Sequence, residues 1–386
     1  PALTHAIAGH AESVDDVAIY TRSTLESLGV NTYFSSKIAS LDANNRAVEL
    51  KRADQEESLR YRSIVLATGS RPALPRVRGL ELENVFSIKW AGDALRVSAI
   101  ASPGMRACVV GAGFIGLETA QALFRRGLKV TLVEMRPWVL PELLEPELSA
   151  KVKEHLERFD VKVLTDSSLE SIHGRKRAQQ VSVNGKRLKA ELVAFATGVR
   201  PNVELAKIGK VKLGRTGAIA TDRSLRTSKE SVYAAGDCAE TLDMVTGKVV
   251  YRPLGTVAAR SGVLAGSNAA GKRVEYSGFL RRQYDRIFGT EIVSMGLSLR
   301  QARSLKVNAE AVPVEPPRHS DPKLQILRPS QALFRAVIEK KNQRLVGWQA
   351  VGRPIRTSWY SQFMQASIAS GKTLDSLEEL GLTVAG

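Results

Sequence analysis

The most constraining feature of this sequence is a glycine turn placed between a strand and a helix. The apolar run Ala107 to Val110 predicts a buried strand, Gly111 to Gly116 (GAGFIG) forms the turn, and a helical pattern follows from Leu117. A second predicted strand, Val130 to Val133, ends directly before Glu134. In this order of elements, with an acidic residue at the second strand end, the glycine pattern indicates a dinucleotide-binding unit.

Each glycine of the turn has a separate task in such a unit. Gly111 makes the tight turn, Gly113 lets the backbone approach a pyrophosphate, and Gly116 lets the helix pack closely on the strand. We expect the pyrophosphate at the helix N-terminus, where unpaired N–H groups and the helix dipole favour an anion. Phe114 and Ile115 lie within this predicted NAD(P)H site.

Charged residues near the turn bear on which nicotinamide dinucleotide fits. Glu134 is placed to accept from the ribose hydroxyls, which favours NADH. Arg136 is able to pair with a 2′-phosphate, which leaves NADPH open. Glu118, in the first turn of the helix, is either a favourable charge beside the helix dipole or a group near the nicotinamide.

Three further apolar strands end in motifs of small residues. The strands and the motifs that close them are Ser63 to Ala67 with Thr68-Gly69, Leu192 to Ala196 with Thr197-Gly198, and Val232 to Ala235 with Gly236-Asp237. The predicted dinucleotide unit therefore lies between two copies of an apolar strand closed by Ala-Thr-Gly. From Gln283 onward, strand-like runs and two late helices predict an α+β module.

The N-terminal part gives three local predictions. The pattern predicts a helix over Val17 to Leu28 and a strand near Asn31 to Ser36. It also predicts a hairpin around Asp42 to Arg46, where Asn44-Asn45 suit a turn.

The composition excludes several classes of protein. Hydrophobic residues make up 44% and charged residues 25%, which is typical of globular domains rather than of disordered chains. No apolar run approaches the roughly 18 residues of a membrane span. The 2 cysteines and 5 histidines provide neither a disulfide framework nor metal-ligand spacing, so no metal site is predicted. A reducing, cytoplasmic location is the expectation.

The net charge of +17 is concentrated towards the C-terminus. Residues 271–360 contain 17 Lys or Arg and 7 Asp or Glu. This excess suits an anionic ligand or simply a solvated surface. Nucleic acid is not favoured, because neither interleaved aromatic residues nor a known nucleic-acid module accompanies the charge.

The ordered motifs resemble those of the FAD-dependent pyridine nucleotide-disulfide oxidoreductases. Phe288 to Ser298 and Arg344 to Gly347 resemble the interface domain of the branch containing coenzyme A-disulfide reductase and NADH oxidase. The resemblance implies an α/β fold with two Rossmann-like three-layer nucleotide-binding domains and a C-terminal α+β dimerisation domain. The expected segments are 1–103 for the first part of the FAD domain, 104–222 for the NAD(P)H domain, 223–275 for the second FAD part, and 276–386 for the interface.

The resemblance also implies site residues. Asp237 would bind the flavin ribitol, with Gly236 allowing close approach, and the Ala-Thr-Gly motifs would close the segments that link the FAD and NAD(P)H domains. Gly255 and Thr256 would begin the helix beside the flavin ring. The implied FAD site therefore comprises Thr68, Gly69, Gly236, Asp237, Gly255 and Thr256, and Thr197 and Gly198 join the NAD(P)H site.

The chain departs from the family pattern at its start. The family begins with a βαβ unit that binds the FAD pyrophosphate, and no such unit precedes Pro1, so we expect a longer native chain. The branch also has a redox cysteine just before a segment that residues 1–9 resemble, which predicts that cysteine before or near Pro1. Weaker catalytic candidates are His5, beside that segment, Cys238, at a helix start near the flavin, and His319, in a loop.

The resulting hypothesis is an enzyme that passes hydride from NADH, or NADPH, to FAD. The acceptor would be a disulfide such as coenzyme A disulfide or a persulfide, or else oxygen, and the protein would be a homodimer. Two alternatives stay open. One is a nucleotide-binding sensor or scaffold without turnover, and the other is a ferredoxin- or rubredoxin-type reductase, whose acidic partner would suit a basic face.

Overall fold

The computed structural model describes residues 2–11, 13, 15–52, 55–315, 332–352, 354–379 and 383–384. The α-helices are α1 (Ala2–Ile7), α2 (Arg22–Ser27), α3 (Ala91–Ile100), α4 (Phe114–Arg125), α5 (Pro146–Glu157), α6 (Glu204–Ile208), α7 (Gly255–Ala269), α8 (Leu299–Ser304), α9 (Pro354–Ala369) and α10 (Leu374–Glu378). Short 3-10 helices cover Asp15–Val17 and Gly236–Cys238.

The strands follow in chain order. They are β1 (Lys37–Asp42), β2 (Ala47–Arg52), β3 (Gln55–Arg60), β4 (Ile64–Leu66), β5 (Ser70–Pro72), β6 (Val85–Ser87), β7 (Arg106–Val110), β8 (Lys129–Val133), β9 (Lys162–Leu164), β10 (Leu169–His173), β11 (Gln180–Val183), β12 (Lys186–Lys189), β13 (Leu192–Phe195), β14 (Val199–Pro201), β15 (Val232–Ala234), β16 (Thr241–Leu242), β17 (Val249–Val250), β18 (Arg282–Ile287), β19 (Thr290–Gly296), β20 (Ala309–Glu315), β21 (Leu333–Glu339), β22 (Arg344–Gly352) and β23 (Thr383–Val384).

Two sequence predictions near the N-terminus are wrong. A helix was expected over Val17 to Leu28, but α2 begins only at Arg22, because the Thr21 side chain accepts from the Thr24 N–H and caps the helix there. A strand was expected over residues 31–36, where the structure has no strand. Ser35 has a φ of 54°, so the chain turns there before β1 starts.

The chain divides into two compact units, and the first contains residues 1–17, 72–198 and 282–386. Its central sheet is parallel, in the order β6-β13-β7-β8-β9. Successive side chains of β7 point to opposite faces. Ala107 and Val109 join a core with α3, α4 and α5, while Cys108 and Val110 join a core with β10 and β11. Both faces are covered, which explains why the strand is apolar throughout.

The first unit also contains a six-stranded sheet in the order β18-β19-β22-β21-β20-β23. Its pairs are antiparallel, and α9 packs on β19 and β22. Trp348 is 1% exposed, stacks on Phe334 with ring centroids 5.5 Å apart, and donates its indole N–H to Ser361. This sheet is the α+β module that the sequence predicted.

The second unit contains residues 18–71 and 199–281. Strands β15 and β4 pair in parallel, and α7 packs on both. Strands β1, β2 and β3 form a separate antiparallel sheet. The predicted hairpin turn between β1 and β2 is confirmed, and Asp42 holds it by accepting from the N–H groups of Asn44 and Asn45.

Two of the four places where the chain changes unit lie at or near the Ala-Thr-Gly motifs. The changes fall after residues 17, 71, 198 and 281, and the two motifs end at Gly69 and Gly198. Residues 72–103 belong to the first unit because β6 pairs with β13 and α3 packs against α1. The four segments expected from the sequence, with boundaries after residues 103, 222 and 275, stay predictions.

Candidate nucleotide-binding and redox sites

The glycine turn of the first unit leaves no room for side chains at two of its positions. Gly111 has a φ of +100°, and a Cβ there would lie 2.5 Å from the carbonyl oxygen of Ala196. At Gly116 a Cβ would lie 1.8 Å from the carbonyl oxygen of Gly111. Both distances are far below van der Waals contact, so the approach of Ala196 requires glycine at position 111 and the packing of α4 on the turn requires glycine at position 116.

Gly113 differs, because a Cβ there meets no protein atom within 4 Å. It is the N-cap of the 12-residue helix α4, and no side chain caps that helix. The first N–H groups of α4, from Phe114 to Gly116, therefore begin beside open space. Unpaired N–H groups at a helix start bind anions, so this cradle fits the pyrophosphate of a dinucleotide.

Glu134 follows β8 and is 7% exposed. Its carboxylate accepts from the backbone N–H of Ala112 at 2.7 Å and from that of Arg136 at 2.8 Å. The carboxylate therefore stabilises the glycine turn, and its remaining lone pairs are available to ribose hydroxyls. The side chain of Arg136 is exposed.

Glu118 lies on α4 and is 8% exposed. Its Oε2 accepts from the hydroxyl of Thr4 on α1, at 3.2 Å. The carboxyl thus contacts a second helix. A role at the nicotinamide stays a prediction.

The Ala-Thr-Gly motif of the first unit forms hydrogen bonds with the backbone of Ala73. The Thr197 hydroxyl donates to the carbonyl of Ala73 at 2.7 Å, and the Ala73 N–H donates to the carbonyl of Gly198 at 2.9 Å. Gly198 has a φ of +88°. The threonine hydroxyl therefore holds the strand end in place.

The motif of the second unit is built in the same way. The Thr68 hydroxyl donates to the carbonyl of Asn202 at 2.7 Å, and the Asn202 side chain donates back to the carbonyl of Thr68 at 2.9 Å. Gly69 has a φ of +66°, and its carbonyl accepts from the Asn202 N–H. Both threonines thus act through the backbone, and their assignment to ligand sites stays a prediction.

Asp237 stands in a short 3-10 helix after β15. Its Oδ2 accepts from the hydroxyl of Ser70 at 2.8 Å, and Ser70 is 1% exposed. The preceding Gly236 has a φ of +76°, and its N–H donates to Ser261 on α7. The aspartate is therefore oriented from one side by a buried serine.

Helix α7 provides a second feature of this site. It has 15 residues and no side-chain cap, and its first residues, Gly255 and Thr256, are exposed. A Cβ at Gly255 would meet nothing within 4 Å. Nearby, burial and the charge of Asp237 raise the pKa of the Tyr251 hydroxyl, which lies beside Ser70. An open helix start and an oriented aspartate fit the ribityl chain and ring of FAD.

The cysteines are both buried in the cores. Cys238 is fully buried, and its thiol donates weakly to the carbonyls of Leu66 and Ala235, each at 3.3 Å. Burial raises the pKa of Cys108 to about 12. This geometry gives no support to Cys238 as a redox residue.

The two histidine candidates differ in what the structure describes. His5 is exposed on α1, with its ring 5.9 Å from that of His10. His319 lies outside the described residues.

Across the residues that the structure describes, His, Cys, Asp and Glu form no group of three that could hold a metal ion. In the same part of the chain, every helix is too short or too polar to cross a bilayer.

Sequence reasoning missed several residues that position these sites. Ser70 was overlooked although it directly follows an Ala-Thr-Gly motif, which was an available signal. The contributions of Asn202, Ser261 and Thr4 depend on contacts between distant parts of the chain, and no local pattern marks them.

The two units together define an α/β oxidoreductase that binds two nucleotides. Residues 1–261 match the family described as pyridine nucleotide-disulphide oxidoreductase. The chain belongs to that family. The predicted fold class, the family and its use of FAD and a nicotinamide dinucleotide are therefore confirmed at the level of the family.

Individual relatives give a finer comparison. An NADH oxidase of Methanocaldococcus jannaschii is 34% identical over 81% of this chain and 69% of the relative. A coenzyme A-dependent NAD(P)H sulfur oxidoreductase of Pyrococcus furiosus is 33% identical over 85% of this chain and 73% of the relative. A solved NAD-dependent persulfide reductase from A. fulgidus is 32% identical with a TM-score of 0.91, covering 99% of this chain and 72% of that one.

Proposed function

We propose that the protein oxidises NADH and reduces a disulfide or persulfide of the coenzyme A type. The observation that carries this proposal is the likeness to the persulfide reductase, at a TM-score of 0.91 over 99% of the chain. The Pyrococcus furiosus relative, named for a coenzyme A-dependent sulfur reaction, supports the same substrate class.

The first unit would hold the nicotinamide dinucleotide. The N–H groups at the start of α4 would bind the pyrophosphate, and the open space at Gly113 would let it approach. Glu134, already oriented by Ala112 and Arg136, would accept from the adenine ribose. Because a buried carboxylate repels a 2′-phosphate, NADH is the preferred donor.

The second unit would hold FAD, which when bound supplies the two-electron chemistry between the nicotinamide and sulfur. Asp237, oriented by Ser70, would accept from the ribityl hydroxyls. The uncapped start of α7 at Gly255 would place its positive dipole end beside the ring.

The substrate class agrees with the charge distribution. Residues 271–360 carry 17 Lys or Arg against 7 Asp or Glu. Coenzyme A carries several phosphate charges, and Arg and Lys are the side chains that bind phosphates. We further propose that the protein acts as a homodimer in the cytoplasm.

An NADH oxidase is the second candidate. The Methanocaldococcus jannaschii relative carries that name at 34% identity. A solved water-forming NADH oxidase from Lactobacillus brevis is 25% identical with a TM-score of 0.88, over 97% of this chain and 83% of that one. In this alternative, oxygen takes the electrons.

The test compares electron acceptors with the purified protein loaded with FAD. NADH oxidation would be measured anaerobically with coenzyme A persulfide and coenzyme A disulfide, and separately with oxygen. We expect a kcat/KM for one of the sulfur compounds at least about tenfold above that for oxygen. A higher value for oxygen would establish the oxidase instead.

Further measurements separate the remaining alternatives. Gly113→Ala should raise the KM for NADH with every acceptor if the cradle at α4 is the donor site. Turnover with ferredoxin or rubredoxin alone would favour the electron-carrier reductase, and flavin binding without any turnover would favour a sensor or scaffold. Light scattering of the loaded protein measures the oligomeric state.

A further inference from the structure

The loop between β8 and α5 (residues 135–145, the β8–α5 loop) lies against the glycine turn of the first unit. Its Leu140 is fully buried and donates its backbone N–H to the carbonyl of Ala112, at 2.9 Å. The N–H groups of Leu143 and Leu144 donate in turn to the Leu140 carbonyl, at 2.9 and 3.0 Å. The loop is therefore a hydrogen-bonded turn whose first residue supports the backbone of the glycine turn.

Leu140 has an unfavourable backbone conformation at this contact. Its φ of 51° lies in the left-handed region, which a leucine rarely adopts. Such a conformation persists only where the surrounding structure holds it. The contacts that hold the β8–α5 loop therefore also determine whether the Leu140 N–H reaches the carbonyl of Ala112.

Several of these contacts come from the six-stranded sheet and the helix that follows β19. Gln349 on β22 accepts from the backbone N–H of Glu145 at 2.7 Å and donates its amide N–H to Oε1 of Glu145 at 2.9 Å. The N–H of Leu299 donates to the same carboxylate oxygen at 2.9 Å. On β19, the buried Ser294 donates to the carbonyl of Leu143 at 2.6 Å. Buried polar groups thus hold the far end of the β8–α5 loop.

Gln349 is an unusual residue for its place in the sheet. Residues 345–351 of β22 are all buried, and apart from Trp348 only Gln349 among them has a polar side chain. A buried amide destabilises the fold unless it is hydrogen-bonded, so an apolar residue would serve simple packing better. Both printed bonds of this amide go to Glu145. The amide therefore contributes orientation to the loop rather than apolar contact.

We propose that Gln349 is a positioning residue for the nicotinamide dinucleotide. By holding Glu145, it keeps the β8–α5 loop in the geometry in which Leu140 supports Ala112. The N–H of Ala112 is held from the other side by Glu134, so the cradle and the ribose acceptor both depend on this residue. This role rests on the proposed function in one respect, which is that the cradle at α4 binds NADH. Because Gln349 acts through the backbone, its loss should weaken binding and leave the chemical step unchanged.

The variant Gln349→Glu tests the pairing, because it places a carboxylate opposite the carboxylate of Glu145 and keeps the size of the side chain. The double variant Glu145→Gln with Gln349→Glu restores one amide and one carboxylate to the pair. The dissociation constant for NAD⁺, measured by calorimetry on the FAD-loaded protein, should rise about tenfold in the single variant and recover in the double variant. The KM for NADH should follow, while kcat stays within about twofold of the wild type.

Ser361→Ala is the matched control. It removes the buried acceptor of the Trp348 indole N–H, which lies on the opposite face of β22 from Gln349. The control should lower the melting temperature and leave the affinity for NAD⁺ unchanged. Ser294→Ala is a milder variant that loses only the bond to the Leu143 carbonyl, so it keeps the test decisive if Gln349→Glu does not fold. It should weaken NAD⁺ binding several-fold.

Hydrogen exchange in the absence of dinucleotide gives a readout that is independent of turnover. Peptides covering residues 111–116 and 139–145 should exchange faster in Gln349→Glu than in the wild type. They should exchange at the wild-type rate in Ser361→Ala, because that variant leaves the β8–α5 loop untouched.

Wild-type affinity and exchange in both Gln349→Glu and Ser294→Ala would overturn the proposal. Failure of the double variant to recover would also overturn it, since the effect would then not arise from the pairing with Glu145. Gly113→Ala separates this outcome from a wrong donor site. If Gly113→Ala weakens NAD⁺ binding and the Gln349 variant does not, the cradle is correct and only the positioning role is wrong. If Gly113→Ala binds NAD⁺ as the wild type does, the cradle is wrong and the positioning role is overturned with it.

Discussion

The carboxylate of Glu134 accepts a hydrogen bond from the backbone N–H of Ala112, at 2.7 Å. This bond joins the end of β8 to the glycine turn that follows β7. Both groups are buried, so the acidic residue that is expected to select the nucleotide also holds the turn that is expected to bind its pyrophosphate. We therefore expect nucleotide selection and local stability to be coupled at Glu134.

The first prediction follows from this coupling. Glu134→Ala should lower the free energy of unfolding by about 2 kcal/mol, because it leaves the buried Ala112 N–H without an acceptor. Glu134→Gln should cost less, since its amide oxygen is able to accept that bond. Denaturant unfolding measures both. Glu154→Ala, which removes an exposed ion pair with Arg158, should change stability little, and an equal loss in that variant would contradict the argument.

The second prediction separates binding from folding within the glycine turn. Gly113→Ala adds a methyl group into open space, so the melting temperature should stay near that of the wild type while the KM for NADH rises by about tenfold or more. Gly116→Ala places a Cβ 1.8 Å from the Gly111 carbonyl oxygen and should destabilise the fold. NADH kinetics and thermal unfolding of both variants are the measurements. Unchanged NADH kinetics in Gly113→Ala would contradict the assignment of the cradle.

The third prediction concerns the choice between NADH and NADPH. Arg136 is exposed, and its backbone rather than its guanidinium contacts Glu134. Arg136→Ala should therefore leave kcat/KM for NADH unchanged and lower kcat/KM for NADPH several-fold, because a 2′-phosphate loses its cation. Steady-state kinetics with both donors checks this. A clear NADPH preference in the wild type would mean that Arg136 outweighs the repulsion by Glu134.

The glycine turn shows which parts of the fold are predictable from sequence. Gly116 and Glu134 act through neighbours on adjacent elements of one βαβ unit, so local patterns contain the necessary information. The parallel strands β7, β8 and β13 were likewise predicted, since buried strands appear as short apolar runs. Strand ends and turns depend on single backbone angles such as that of Ser35, and no periodicity reveals these.

The surroundings of Glu118 show what was not predictable. Glu118 was expected to be a charge beside a helix dipole or a nicotinamide contact. Its structural neighbours, Thr4 and Asp285, are remote in sequence and come together only when α1 and β18 pack on α4. A buried polar cluster of this kind depends on tertiary packing, for which one sequence gives no direct signal.

The fourth prediction concerns FAD retention in the second unit. Ser70→Ala removes the buried hydroxyl that donates to Asp237, and a hydrogen bond to a charged group contributes about 1.5 to 3 kcal/mol. The dissociation constant for FAD should therefore rise by about tenfold or more. Flavin absorbance after dialysis measures it. Ser58→Ala removes an exposed serine that donates to Glu49, and it should retain FAD as the wild type does.

The last prediction concerns the two core cysteines. A pKa of about 12 for Cys108 leaves roughly one thiolate in 10,000 at pH 8, and only the thiolate is a nucleophile. Cys238 is fully buried, and its thiol is occupied by two carbonyl oxygens. Iodoacetamide should therefore label neither residue in the native protein and both after unfolding, as peptide mass spectrometry would show. Cys238→Ala should keep turnover within about twofold, whereas loss of sulfur reduction with FAD still bound would assign the redox role to Cys238 after all.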